Sequence, residues 1–192
     1  MKAKRRLAIF ASGAGSNARQ LMQYFEGHDF IEIACVVCNR EGAGVLQIAN
    51  EFQVPIIQIT RADFQNVSQL IHALESHTVS DIVLAGFLWK IPVDLVNSFQ
   101  HRIYNIHPSL LPKFGGKGMY GHFVHEAVFH SGDHESGITI HYVNEFYDQG
   151  DIIAQYKVDI SQLNSPNEIE LAVRELEKKF FPFTIERVLQ SQ

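Results

Sequence analysis

Apolar residues in this chain fall into short unbroken runs, separated by stretches in which they recur every three or four positions. Arg6 to Ala11, Ile31 to Cys38, Pro55 to Ile59 and Asp81 to Ala85 are runs of the first kind, and each predicts a strand covered on both faces. Between them, the segment ending at Phe25, Val45 to Phe52, Ala62 to Glu75 and Pro92 to Phe99 follow the helical period. This alternation predicts an α/β fold: a Rossmann-like, mostly parallel sheet with helices on both faces. A further strand ends at Asn105 and His107. Beyond it come a helix from His122 to His130, an alternating strand from Gly137 to Val143 and an apolar run from Ile152 to Val158. A last helix starts near Ser165 and runs towards Leu189, with a kink expected at Pro182. No repeat, linker or low-complexity run interrupts the pattern, so residues 1 to 192 read as a single domain.

Composition narrows the class. With 192 residues, 46% of them hydrophobic, the chain can bury a full core. A formal charge of -5 argues against general binding to nucleic acid or to a membrane surface, so neither is expected as a partner. The basic group Lys2, Lys4, Arg5 and Arg6 precedes an apolar run that breaks at Ser12 and Gly13, too short for a secretory signal. No stretch has the length of a membrane span, and a cytoplasmic protein is expected. Cys35 and Cys38 form a C-x-x-C inside an apolar strand, where positions i and i+3 face opposite ways. They read as buried core thiols rather than as a redox or metal pair.

Three stretches carry candidate chemistry. Ser12 to Asn17 links the first strand to the first helix through glycines, an arrangement that lets backbone N–H groups and a helix N-terminus meet an anion such as phosphate. Ser16 or Asn17 is the expected helix cap. The spacing lacks the full G-x-G-x-x-G of a dinucleotide site. The second stretch is Tyr104 to Pro112. Asn105 and His107 lie two residues apart on a strand, so their side chains share a face, and Pro108 then ends sheet pairing. The third is the polar loop Asn144 to Asp151. Asp148 is either a turn aspartate facing water or folds back to His107, where its charge would raise the imidazole pKa. Between the second and third stretches, Lys113 to Gly121 holds four glycines and two lysines and reads as a mobile lid. His122, His125 and His130 do not make a recognised metal spacing, and no metal is expected. Arg174 and Glu177, one helical turn apart, read as an exposed ion pair.

In order and spacing, Gly15-Ser16-Asn17, Ala85-Gly86-Phe87, Asn105-Ile106-His107-Pro108-Ser109-Leu110-Leu111-Pro112 and Gly137 through Asp148 resemble the phosphoribosylglycinamide formyltransferases of purine biosynthesis. The resemblance runs from about Arg6 to Pro182. It implies the formyltransferase fold with a seven-stranded, mostly parallel sheet, and transfer of the formyl group of 10-formyltetrahydrofolate to the amine of glycinamide ribonucleotide (GAR). It implies Asn105, His107 and Asp148 as catalytic residues, with protonated His107 as proton donor. GAR would meet Gly15, Ser16, Asn17, Arg174 and Glu177. The folate would meet Arg61, Leu88, Trp89, Lys90 and Ile91, together with Asn105 and the loop Asn144, Glu145, Phe146, Tyr147 and Asp148. Trp89 stands where many relatives have arginine. A monomer or homodimer is expected. Formyltetrahydrofolate deformylases share the catalytic trio but carry a further N-terminal domain, and the formyltransferases acting on initiator tRNA or sugar nucleotides carry further C-terminal ones. A silent folate- or phosphate-binding protein is the alternative outside enzymes.

Overall fold

The computed structural model describes residues 4–192. Its strands form a seven-stranded, mostly parallel sheet in the order β3-β2-β1-β4-β5-β6-β7, the α/β class expected. Chain contacts group into two compact units that meet in sequence between Tyr104 and Asn105.

The first unit opens with β1 (Arg5–Ala11), α1 (Ser16–Phe25), β2 (Ile31–Cys38), α2 (Gly44–Glu51) and β3 (Ile56–Gln58). It continues through α3 (Arg61–Gln65), α4 (Ser68–Ser76), β4 (Asp81–Leu84) and α5 (Val93–Ser98). Leu7 to Ala11 are wholly buried, as an unbroken apolar run between two parallel neighbours requires. Helix α1 buries Ala18, Leu21, Met22 and Phe25, the single face its spacing dictates. Cys35 and Cys38 are free and buried in β2, and burial pushes the Cys35 thiol up to about 12. The helix expected over Ala62 to Glu75 is two helices, α3 and α4. Thr60 and Asp63 cap the first reciprocally, and Asn66 leaves helical geometry and accepts a hydrogen bond from Ser68 Oγ at 2.9 Å. The helical period survives the break, so periodicity alone does not reveal it.

Strand β4 is anchored by one buried charge. Asp81 is fully buried and accepts from Arg5 Nε at 2.9 Å and Nη2 at 2.6 Å. The Ser80 hydroxyl at 2.6 Å and the Tyr104 hydroxyl at 3.1 Å complete its shell. The pair clamps the start of β1 to the start of β4.

Strand β5 (Ile103–His107) crosses the boundary, and the second unit adds α6 (His122–Ser131), β6 (Glu135–Tyr142), β7 (Ile152–Asp159) and α7 (Pro166–Ser191). Strands β6 and β7 pair antiparallel, with a register shift between Ile140 and His141. Helix α7 is capped by Ser165, has Pro166 in its first turn and continues through the buried Pro182. It packs along the hairpin, where the Tyr156 and Phe180 rings stack at 3.9 Å. Among the described residues no helix is long and apolar enough to cross a membrane.

Replacing Asp81 with alanine leaves the Arg5 guanidinium without its carboxylate. A loss of about 3–5 kcal/mol is expected, read as a lower urea midpoint; an unchanged midpoint contradicts the clamp.

Candidate active site

The second unit holds a compact polar cluster built from one strand pair and two loops. Asn105 and His107 project from one face of β5, His141 stands on β6, and Asp148 sits in the loop after β6. His107 is only 4% exposed. Its Nε2 lies 2.7 Å from the Phe114 carbonyl, which can only accept, so Nε2 carries a hydrogen. Its Nδ1 faces Asp148 Oδ2 at 3.6 Å, too long for a hydrogen bond and close enough for strong attraction between charges once the ring is protonated. The same carboxylate oxygen accepts the Gly116 N–H at 2.8 Å. Asp148 itself occupies left-handed backbone geometry with φ 55°, which aspartate tolerates better than most residues.

His141 completes the cluster, and sequence reasoning did not single it out. Its Nδ1 donates to the Tyr142 carbonyl at 2.7 Å, so in the neutral ring Nε2 accepts, and it receives the Asn105 Nδ2–H at 3.0 Å. That bond fixes the amide of Asn105 and leaves its second N–H for another acceptor. The signal was present: His141 is a polar position in phase with Thr139 on an alternating strand. The Phe114 carbonyl and Gly116 amide were invisible, because backbone groups leave no mark on residue type.

Burial pushes the His107 pKa below its ordinary value, and His141 adds to this; the Asp148 charge and the Phe114 carbonyl oppose it without prevailing. Asp148 does act to raise this pKa, as expected from the sequence, but desolvation outweighs it, and His107 rests neutral. For Asp148, burial works upward. It is outweighed by the His141 contact, the His107 ring and the Gly116 N–H, and the carboxyl ends below the usual range. The resting pair is a neutral imidazole beside a carboxylate, with room for one proton between them.

The strand-to-loop segment is held from beneath. Thr139 Oγ1 donates to the Ser109 carbonyl at 2.7 Å and accepts from Leu111 N at 3.0 Å, and Ser109 Oγ donates to the Lys113 carbonyl at 2.8 Å. These bonds carry Phe114 and Gly116 back over His107 and Asp148. Within the loop after β6, Asn144 accepts from Phe146 N at 2.9 Å and donates to the Gln149 carbonyl, and Glu145, Phe146 and Tyr147 face outward.

In the first unit, the loops after β1 and β4 leave adjacent parallel strands at the point where strand order reverses, the place where open α/β sheets receive ligands. Gly15, not Ser16 or Asn17, is the N-cap of α1, and no side chain caps the helix. Its φ of 83° and the 2.8 Å that would separate a Cβ from Val45 Cα both demand glycine. Ser16 and Asn17 open the first turn of α1, whose amide groups point toward the N-terminal end of the helix. Ser12 donates structure to both loops: its N–H bonds the Gly86 carbonyl at 3.1 Å, and its hydroxyl accepts from Leu88 N at 3.0 Å. Leu88 and Lys90 are exposed, Trp89 is half-buried and Ile91 is buried. Arg61 opens α3 and lies over the Trp89 ring. On α7, Arg174 pairs with Glu170 at 2.5 Å rather than with Glu177 as expected.

Fold and side chains together define a Rossmann-like α/β protein with an amide, imidazole and carboxylate centre suited to acyl-type transfer. The chain belongs to the formyl transferase family, whose model matches residues 5–185. It is 40% identical over 184 residues to the chloroplastic phosphoribosylglycinamide formyltransferase of Arabidopsis thaliana, covering 93% of this chain and 63% of that one. It is 33% identical over 190 residues to the phosphoribosylglycinamide formyltransferase of Bacillus subtilis strain 168, covering 96% and 95%. The chain thus spans about 63% of the plant relative and nearly all of the bacterial one. Among solved structures, it is similar to phosphoribosylglycinamide formyltransferase from Anaplasma phagocytophilum, with TM-score 0.89, 29% identity, and coverage of 98% and 88%. Glycinamide ribonucleotide transformylase 1 from Geobacillus kaustophilus gives TM-score 0.88, 31% identity, and coverage of 97% and 99%.

A second histidine yields a stability prediction. His125 on α6 is 3% exposed, its Nδ1 has no hydrogen-bond partner, and burial pushes it down to about 4 against the opposing charge of Glu170. Besides Glu170, it senses His122, Arg174 and His107. Because the unfolded chain binds the proton at 6.5 and the folded chain only near 4, the unfolded state holds more protons across that window, and stability falls as pH drops through it. The full contribution is present above 6.5 and amounts to roughly 3 kcal/mol lost by the bottom of the window. His107 acts in the same direction. Denaturant titrations of parent and His125→Asn across this range should show a shallower loss in the variant; equal losses contradict the assignment.

Proposed function

We propose that the protein transfers the formyl group of 10-formyltetrahydrofolate to the primary amine of glycinamide ribonucleotide, as a single formyltransferase domain acting in the cytoplasm. The observation that carries this reading is the convergence of Asn105, His107 and Asp148 on one buried cluster. The names of the relatives support the choice of acceptor.

The amine nitrogen forms a bond to the formyl carbon, and negative charge grows on the formyl oxygen. The free N–H of Asn105 serves that oxygen, where a preorganised donor in a water-poor site is worth most. The amine's proton must leave, and the neutral Nδ1 of His107 takes it. There the proton lies between the ring and the Asp148 carboxylate, and burial that disfavoured a lone imidazolium is offset by a paired one. The carbon–N10 bond then breaks, and the imidazolium returns the proton to N10 of tetrahydrofolate. The proton count closes with no outside donor. Gly15, Ser16 and Asn17 take the ribonucleotide phosphate on the amides at the α1 N-terminus, and Arg174 and Glu177 take its ribose. Leu88 to Ile91 and Asn144 to Asp148 take the folate, with Arg61 at its tail.

Release of tetrahydrofolate, measured with and without the ribonucleotide, tests this reading. Release that depends on the amine, with formylated ribonucleotide in equal amount, is expected; formate without the acceptor would make the protein a deformylase. His107→Ala and Asp148→Asn should each lower turnover by about 100-fold to 1000-fold with folding intact, and near-normal turnover in either overturns the relay.

Lys113 to Gly121 closes over the bound substrates. The segment already touches the catalytic pair through Phe114 and Gly116 and is tethered by Lys113 to Asp133 at 2.9 Å. Amide hydrogen exchange across it should slow when both ligands bind, and equal exchange contradicts closure.

A further inference from the structure

The segment from Lys113 to Gly121 ends where α6 begins, and the helix itself does little to hold that junction. Gly121 is its N-cap, with φ 54° and ψ -136°, and no side chain caps the helix. Tyr120 and Phe123 meet edge-on at 5.5 Å, but both rings are about half exposed. The firm contact comes from α7. His122 Nδ1 lies 2.8 Å from Glu170 Oε2; a carboxylate only accepts, so Nδ1 carries a hydrogen, and the bond holds whether the ring is neutral or charged. The other ring nitrogen stands 3.6 Å from Glu126 Oε1, beyond hydrogen-bond range. Glu170 Oε1 takes Arg174, one turn further along α7. Burial works upward on the Glu170 carboxyl, but His122, Arg174 and His125 outweigh it, and the carboxyl ends below its usual range. Its side chain is 20% exposed, so these pairings are screened less than they would be on the open surface. The opposite end of the segment has separate anchors: Lys113 on Asp133, the Phe114 carbonyl on His107 and the Gly116 N–H on Asp148.

We propose that Glu170 is a positioning residue whose one carboxylate ties the end of the Lys113 to Gly121 segment to α7 and holds the Arg174 guanidinium beside it. The clasp on the segment stands on geometry within this unit; the part concerning Arg174 deepens the formyl-transfer reading above and rests on it. The segment is fixed at both ends, by the catalytic cluster at one and by α7 at the other. Its free play is confined to the stretch between, which bends at Gly118, with φ 91°, and at Gly121. Losing the carboxylate frees the helix start and Arg174 together, because both depend on the same group.

Two measurements test it. The first, amide hydrogen exchange of the free protein, needs neither ligand nor turnover. Glu170→Ala and His122→Ala should each speed exchange from Val124 to Glu126 by about tenfold, and the double variant should add nothing to either. Glu170→Gln, which keeps an accepting oxygen, should recover part of the protection. Helix α4, in the first unit, should keep the parent's rates. Unchanged exchange in either single variant, additive increases, or an equal rise in α4 overturns the clasp. The second measurement follows turnover as the ribonucleotide is varied. Glu170→Ala should raise its KM by about tenfold and leave kcat within about twofold, since the catalytic trio is anchored elsewhere. An unchanged KM, or a loss that falls on kcat, overturns the part concerning Arg174. A parent that transfers no formyl group, with the exchange result as expected, sinks the formyl-transfer reading and leaves the clasp standing.

Discussion

Asp148 must keep a negative charge where water hardly reaches, and the geometry of the second unit follows from that requirement. A buried carboxylate stays ionised only among donors. Gly116 supplies one from the segment after β5, a proton arriving on His107 Nδ1, 3.6 Å away, supplies a second, and His141 Nε2 stands 3.7 Å from the other oxygen. The loop that brings Asp148 inward turns through left-handed backbone at the residue itself, and the segment that brings Gly116 is held by Thr139 and Ser109. The two imidazoles have opposite duties. His141 is locked by a carbonyl on one nitrogen and an amide on the other, so it orients. His107 has one nitrogen committed to Phe114 and one open toward the charge, so it can accept a proton. Desolvation keeps that nitrogen empty at rest, and the carboxylate makes filling it tolerable.

Much of this was legible in residue order. Unbroken apolar runs located β1, β2 and β4, since a strand covered on both faces has no polar position to spare. The two-residue period placed Asn105 and His107 on one face without any model of the rest of the sheet. Asp148 was legible only as one of two alternatives, because a loop's path depends on contacts far away in sequence. What escaped has a common cause. The cap at Gly15, the carbonyl of Phe114 and the N–H of Gly116 act through backbone, which carries no residue signature. The break between α3 and α4 kept the helical period, and the fall in the His107 pKa comes from burial, a property of the assembled fold. Trp89 was seen as a departure from its relatives, but its hold on Arg61 needed the ring geometry.

Strand order matters as much as any side chain. Placing β1 beside β4 reverses the direction of winding at their shared edge and leaves two loops side by side with no helix crossing between them. The Arg5–Asp81 clamp secures the far ends of the same two strands, so the opening is kept by a charge pair at the opposite rim. The cost of burying that pair is distributed over Ser80 and Tyr104, which share the carboxylate's lone pairs.

Ser12 closes the account of these loops. Its backbone and hydroxyl bind both ends of the turn after β4, at Gly86 and Leu88, while Gly13 accepts from Val45 at the start of α2. The two loops are therefore one elastic body with a shared fulcrum. Whatever quiets the motion of one has already reduced the entropy the other has left to lose, so the two turns stiffen together.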